Sequence, residues 1–353
     1  MKKLLTLLLI STSTFSFSQG WNFIGSTTGI ANASEVDIEV TPGGNLYAAA
    51  LNSGVVTVYK WSPVTSSWVS MSGATVPGTT SGLDLLVIGE TTPVFAVKSN
   101  QGAIPNQFLY IYKFNGSSWV FQTMGPGGYN SINYNHQYSL KANSTGQLIL
   151  TFYNVNDQAT GYSPLNALIT VNMATQTVLG GASPNLEQTS ATGILASHVD
   201  GNTAYVIHEE ADMSDYIPFD ISVNGAAYTN NTLDNSDGAS KMLIDKNNGA
   251  TAISSVWAVP YSTFPLKYRA YTGGSFGTQV NISTGANVVD FDFDTYNSDS
   301  YVFYKTTSCF FKKVTGTASP TISTISSGAS LAPATATCLR TEVSAYGVYV
   351  IAY

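Results

Sequence analysis

The sequence predicts an all-β chain folded as a single β-propeller of seven blades, closed by its own N-terminal strand. Three observations lead there. A unit of four short β-prone runs separated by turn residues recurs along the chain. The turn between the first two runs falls at Gly44, near Thr92, at Gly146, Gly201 and Gly249, near Ser298, and at Gly347, so adjacent marks lie 48 to 55 residues apart, within reach of blade spacing. Outside the first residues, no stretch of useful length has helical periodicity.

Residues 1–18 have the layout of a secretory signal. Lys2 and Lys3 give a charged start, residues 4–10 an apolar run, and Ser16 and Ser18 the small residues that suit cleavage before Gln19. The apolar run is shorter than the roughly 20 residues a membrane span needs. This predicts export, to a secreted, periplasmic or cell-surface location, with one propeller domain over 19–353 and no membrane insertion. WNFIG at 21–25 resembles a later outer-strand run around Trp68. It could complete the last unit and remove an open sheet edge.

The first unit is the clearest. VDIEV at 36–40, LYAAA at 46–50, VTVYKW at 56–61 and SWVSM at 67–71 are four runs split by PGGN, a Gly-containing loop and a short turn. The second repeats it, with LDLLV at 83–87, VFAV at 94–97 and LYIYKF at 109–114. Asn115-Gly116 then turns tightly into Ser118-Trp119-Val120, which matches Ser67-Trp68-Val69. Later units diverge but keep the order. The Ser/Thr/Ala-rich stretch 315–337 reads as an outer strand and a connecting loop, and the last unit stops after two runs, near 339–343 and 348–353. Trp61, Trp68 and Trp119 are expected to pack between blades.

These runs carry a resemblance. YIYKFNGSSWV at 110–120 resembles the repeat of secreted bacterial β-propeller proteins, whose blades open with D-x-x-V-x-x-x-G-x-x-Y and continue with V-x-K-(F/W)-(N)-G-x-x-W. Asp37, Val40, Gly44 and Tyr47 match the opening, and Asp84 echoes it. The match is good in two units and partial in the rest. It implies fold and export, and little about activity.

Composition narrows the partners. Charged residues make up 10% of the chain, against about 25% in typical domains, and polarity comes from Ser, Thr, Asn and Gly. The net charge of −7 argues against nucleic acid, which needs a basic footprint. A monomer is expected. The two cysteines, Cys309 and Cys338, fall on one propeller face in this layout, and in an exported chain a disulfide between them is the simple expectation.

Motifs for metalloprotease, serine hydrolase or P-loop chemistry are absent from the sequence, so no catalytic residue is assigned. Three stretches could carry function. Asp290, Asp292 and Asp294 alternate, so in a strand they share a face. They suit either Ca²⁺, which takes several oxygen ligands, or the lining of a wet central channel, as Asp37 and Glu39 would in the first unit. No other cofactor is implied. The acidic stretch from His208 to Asp215 reads as a loop between the second and third strands of the fourth unit. Acid–base catalysis from such a loop would need two carboxylates of different pKa. Aromatics beside Asn and His form the third, densest at Tyr129, Asn133, Tyr134 and His136, with Trp257 and Tyr261 further on. Flat rings with polar rims suit sugar contact. The leading expectation is an exported, non-catalytic binding or adhesion module taking a glycan or an extracellular protein on one loop face. The alternative is a glycoside hydrolase or lyase using the acidic loop. Convergence of carboxylates from several blades near the axis would favour catalysis.

Overall fold

The computed structural model describes residues 33–100, 106–122, 132–133, 137–143, 145–154, 167–175, 177–181, 194–208, 217–223, 229–234, 239–246, 252–259, 266–283, 287–328 and 339–352. Among them there are strands and turns and no helix, hence no helix that could cross a membrane.

Short β-prone runs separated by tight turns fold as antiparallel meanders, each strand beside the one before it. The first sheet is β1 (Glu35–Val40), β2 (Leu46–Asn52), β3 (Val55–Ser62) and β4 (Ser67–Thr75), in that order. The second unit is β5 (Thr79–Ile88), β6 (Thr92–Asn100), β7 (Asn106–Phe114) and β8 (Trp119–Gln122). A two-residue strand, β9 (Ile132–Asn133), pairs both with β7 and with the next unit, β10 (Tyr138–Ala142), β11 (Leu148–Asn154), β12 (Ala167–Asn172) and β13 (Thr177–Gly181). Then come β14 (Leu195–Asp200), β15 (Thr203–His208), β16 (Ile217–Val223) and β17 (Thr229–Asp234). The fifth unit is β18 (Lys241–Lys246), β19 (Ile253–Ala258), β20 (Leu266–Thr272) and β21 (Ser275–Phe276), with β22 (Val280–Asn281) also on β20. The sixth is β23 (Asp290–Tyr296), β24 (Asp299–Lys305), β25 (Cys309–Thr315) and β26 (Thr321–Gly328). Two strands, β27 (Leu339–Ser344) and β28 (Gly347–Ala352), form the last sheet.

The first strands of the units touch in cyclic order: β1 meets β5, then β10, β14, β18, β23 and β27 follow in turn, and β27 meets β1. They therefore surround a common axis. Apolar core lies between neighbouring sheets. Tyr47, Leu51 and Val58 of the first unit pack with Leu85, Phe95 and Val97 of the second. Leu86, Val94 and Ile111 pack with Leu140, Leu150 and Phe152 of the third. The same layering joins Phe219 to Trp257, Tyr268 to Phe293, and Phe303 to Leu339. Second strands are buried on both faces, as in β2, β6 and β19, which is why they read as continuous apolar runs and do not alternate.

The turns near the axis also clasp their neighbours. In the β1–β2 turn, Gly44 adopts φ +83, and a side chain there would meet the Tyr346 ring at 2.7 Å, so Tyr346 of the last turn packs against the first. On the other side Glu90, in the β5–β6 turn, accepts hydrogen bonds from Gly43 N (2.7 Å), Asn45 Nδ2 (2.9 Å) and Thr41 Oγ1. These contacts link the last, first and second units on one face.

Candidate functional site

An inner strand is the edge of its own sheet, so half of its backbone amides lack a ladder partner. In this protein the neighbouring unit supplies acceptors. Glu35 takes the amides of Gly82 (2.9 Å) and Leu83 (2.7 Å), and Asp37 Oδ2 takes that of Leu85 (2.7 Å). Asp84 accepts from the Leu140 amide. Ser139 Oγ donates to the Ser197 carbonyl at 3.3 Å, and Thr295 Oγ1 donates to Asp245. Asp290, Asp292 and Asp294 then take the amides of Leu339, Thr341 and Val343 at 2.7, 2.6 and 2.6 Å. Arg340 Nε returns to Asp37 Oδ1 at 3.3 Å, which ties β27 to β1. Hydrogen bonds with a charged partner are roughly twice as strong as neutral ones, so this chain of contacts sets the spacing of the inner strands.

The strands enclose an axial cavity of about 500 Å³, to which the first strands β1, β5, β10, β14, β18, β23 and β27 all contribute. Its lining includes seven acids (Asp37, Glu39, Asp84, Asp245, Asp292, Asp294 and Glu342) and four bases (Lys98, Lys141, Lys241 and Arg340). Crowding deep in the fold shifts these groups. Burial pushes Asp37 up to about 6, with Arg340 pulling it down and Asp84 adding to the rise. Burial likewise takes Asp292 to about 6 against the pull of Lys241 and Arg340. Glu39, Asp294 and Glu342 are held well above the ordinary carboxyl range, first by burial and then by neighbouring carboxylates. Asp84 is raised by burial despite Lys141. Asp245 goes the other way. Burial opposes its charge, but His198, 3.4 Å away, with Lys141 and Thr295, outweighs burial and lowers it. Burial opposes the Lys141 ammonium too, but Asp84, Asp245, Glu39 and Glu342 together raise its pKa.

The residues singled out from the sequence are dispersed. Asp290, Asp292 and Asp294 alternate along β23 as expected, but as a row. Each also holds a different backbone amide of β27. Among the described residues no group of three acidic, His or Cys side chains could hold a metal ion. The three aspartates are an inter-sheet clasp.

Trp257 is not on a loop. It lies within β19, fully buried, and its Nε1 donates to Asp234 Oδ2 at 3.0 Å, so it faces the core and not a ligand. Asn133 belongs to β9, where its backbone pairs with Asn106 while Ile132 pairs with Asn154. Tyr129, Tyr134, His136 and Tyr261 lie outside the described residues, as does the acidic stretch after His208. His208 itself ends β15, buried, with Nε2 3.0 Å from Asp220 Oδ2. Cys309 opens β25 as a buried free cysteine whose pKa is raised by burial; Cys338, its expected partner, lies outside the described residues.

Sequence reasoning missed Lys141, Asp245, Arg340 and Glu342. The signal was present: each lies on a first run, four to seven residues before its turn glycine, where a charged residue in a buried strand faces the axis.

No family model matches the chain, and no curated protein matches it. Solved structures do. AofleA from Arthrobotrys oligospora superposes with a TM-score of 0.52 at 13% identity, over 85% of this chain and 88% of that one. Aleuria aurantia lectin in complex with Fucα1-6GlcNAc gives a TM-score of 0.51 at 14% identity, over 82% and 94%. The Aleuria lectin is described as a six-bladed β-propeller with a novel fucose recognition mode. At these identities the likeness establishes the fold: this chain is a β-propeller.

Proposed function

We propose that the chain is an exported, non-catalytic glycan-binding module, built as a seven-bladed propeller that its N-terminal strand completes. The observation that carries this reading is the likeness to propellers that bind fucose or fucosylated glycans, over more than four fifths of both chains. Seven inner strands in cyclic contact support the blade count, one more than in the Aleuria lectin. The signal layout of residues 1–18 and the resemblance to secreted bacterial propellers support export. The glycan contact is expected at Tyr129, Asn133, Tyr134 and His136, the aromatic and amide residues densest in the sequence, because rings and amides suit a sugar. A glycan array probed with residues 19–353, with Ca²⁺ and with chelator, tests this. We expect saturable glycan binding that chelator leaves unchanged. No glycan bound under either condition overturns it.

A second reading has its own observation. Carboxyl groups from β1, β5, β18, β23 and β27 converge on the axis, with raised pKa values among them. Paired carboxyls whose pKa values differ are what glycoside hydrolysis needs. Most of these groups are engaged in the clasp, which weighs against catalysis. Release of reducing ends from an array hit, abolished by Glu39→Gln or Glu342→Gln, would select the enzyme.

A further inference from the structure

We propose that Asn115 is a site of self-modification: its side-chain amide closes onto the Gly116 nitrogen, loses ammonia, and is opened by water to aspartate or isoaspartate. This chemistry belongs to the β7–β8 turn and is independent of any glycan binding.

Asn115-Gly116 turns β7 into β8, and the Asn115 amide donates to the Ser118 carbonyl at 3.0 Å across the turn. Asn115 Oδ1 takes four donors. They are the amides of Ser117 and Ser118 at 3.0 and 2.9 Å, and the hydroxyls of Ser117 and Ser118 at 3.0 and 3.4 Å. The ring closed by the Ser117 amide runs through Gly116, so the side chain is folded toward the peptide that follows it. Donors on a carbonyl oxygen stabilise the negative charge that gathers there when the carbon is attacked.

Two other asparagines sit in the same kind of cradle. Asn143 Oδ1 accepts from Thr145 N, Thr145 Oγ1 and Gln147 N at 3.1, 2.8 and 2.8 Å. Asn172 Oδ1 accepts from the amides of Ala174 and Thr175 at 3.0 and 3.2 Å. Asn115 differs from both in nucleophile, leaving group and water.

The nucleophile is a glycine nitrogen, whereas Ser144 and Met173 follow the other two. Glycine has no side chain to hinder the approach, and even a Cβ built on Gly116 would meet nothing within 4 Å. The leaving nitrogen is held in the other two: Asn143 and Asn172 donate Nδ2 to Gln147 Oε1 at 3.0 and 2.9 Å. Asn115 Nδ2 donates to no described residue. Water reaches Asn115 and Gly116, which are exposed, while Asn143 is half-buried and Asn172 buried.

In the first step the Gly116 N–Asn115 Cγ bond forms and the Cγ–Nδ2 bond breaks. The Gly116 amide proton leaves with Nδ2 as ammonia. Water then cleaves the cyclic imide. Cleavage at Cγ gives aspartate. Cleavage at the Asn115 main-chain carbonyl leaves the chain running through Cβ and Cγ, which is isoaspartate and adds a methylene to the turn. No electrons are exchanged, and water is the one co-reactant. Either product adds a negative charge to a chain of net charge −7. Isoaspartate also reaches the core, because this turn sets Trp119 opposite Phe114, and the Trp119 ring packs on Phe95 at 4.9 Å.

Incubation of folded residues 19–353 at mildly alkaline pH, then proteolysis and mass spectrometry that separates aspartyl from isoaspartyl peptides, tests the assignment. Asn224-Gly225 and Asn248-Gly249 are also Asn-Gly pairs and lie outside the described residues, so conversion is read residue by residue and not as total charge. We expect both products at position 115, formed at least about ten-fold faster than any product at Asn143 or Asn172, a difference of about 1.4 kcal/mol in barrier. The rate should rise with pH, because attack requires loss of the Gly116 amide proton. Circular dichroism before and after incubation establishes that the chain stayed folded. Asn115→Gln, whose longer side chain must close a larger ring, should abolish conversion at that position. Should that variant not fold, the site-by-site rates of the unmodified chain still decide. An Asn115 that stays intact in the folded chain overturns the proposal, as does conversion of Asn143 or Asn172 at an equal rate.

Discussion

Asp292 has one oxygen on the amide of Thr341, 2.6 Å away across the boundary between two sheets. Asp292→Ala would orphan that amide, at a cost of about 1–3 kcal/mol. Asp292→Asn keeps an acceptor and should cost less, so thermal melts should rank wild type, Asn, then Ala. The ionisation of the axial carboxyls adds a pH signature. Asp37 and Asp292 sit at about 6 in the fold, against roughly 3.9 in an unfolded chain. The native state then binds more protons than the unfolded state between those values, so stability falls as pH rises through that window. Glu39, Asp294 and Glu342 act in the same sense and extend it upward, and Asp245 alone opposes them. We expect a higher melting temperature near pH 5 than near pH 8. A melting temperature that rises over that range would contradict the burial of these groups.

Strands and turns carry the next level. The N-terminal edge of each unit meets its neighbour through side-chain oxygens, and the outer turns meet through close backbone approach. Gly277 follows β21, and a methyl group there would come within 1.9 Å of the Thr317 carbonyl in the sixth unit. Gly277→Ala should push these two sheets apart, at about 1–3 kcal/mol, read as a drop in melting temperature. Trp257 fills the core between the fourth and fifth units and donates to Asp234. Trp257→Phe should lower stability by roughly 2–4 kcal/mol and leave any glycan affinity of the folded fraction unchanged, measured by titration.

Strand positions were legible in the first two units and the last because alternation and turn chemistry agree there. VDIEV, LYAAA, VTVYKW and SWVSM fall inside β1 to β4, and the turn residues Gly44, Gly146, Gly201 and Ser298 separate first from second strands. Trp257 was misread for a physical reason. Its run, ISSVWA, is buried at every position, and a strand covered on both faces has no alternation to mark it. The D-x-D-x-D row was legible as a shared face, but its partners are backbone amides 49 residues on. Backbone donors have no letter in a sequence, so a clasp and a metal site look alike until the neighbouring strand is placed.

At the scale of the whole molecule, the first strands form a cycle, and the cycle concentrates acid on the axis of a chain that is otherwise poor in charge. Every sheet rests on two neighbours, so a missing strand at one point should weaken the entire ring. β28 is the edge of a two-stranded sheet among the described residues, and the proposal that residues 21–25 complete that sheet makes the ring's closure the central claim. Equilibrium unfolding of residues 19–353 against residues 33–353 tests it most directly. Closure predicts one cooperative transition for the longer chain and a clearly lower midpoint, with earlier loss of structure, for the shorter. Equal midpoints for the two would show that the ring closes without the N-terminal segment, and would contradict the account.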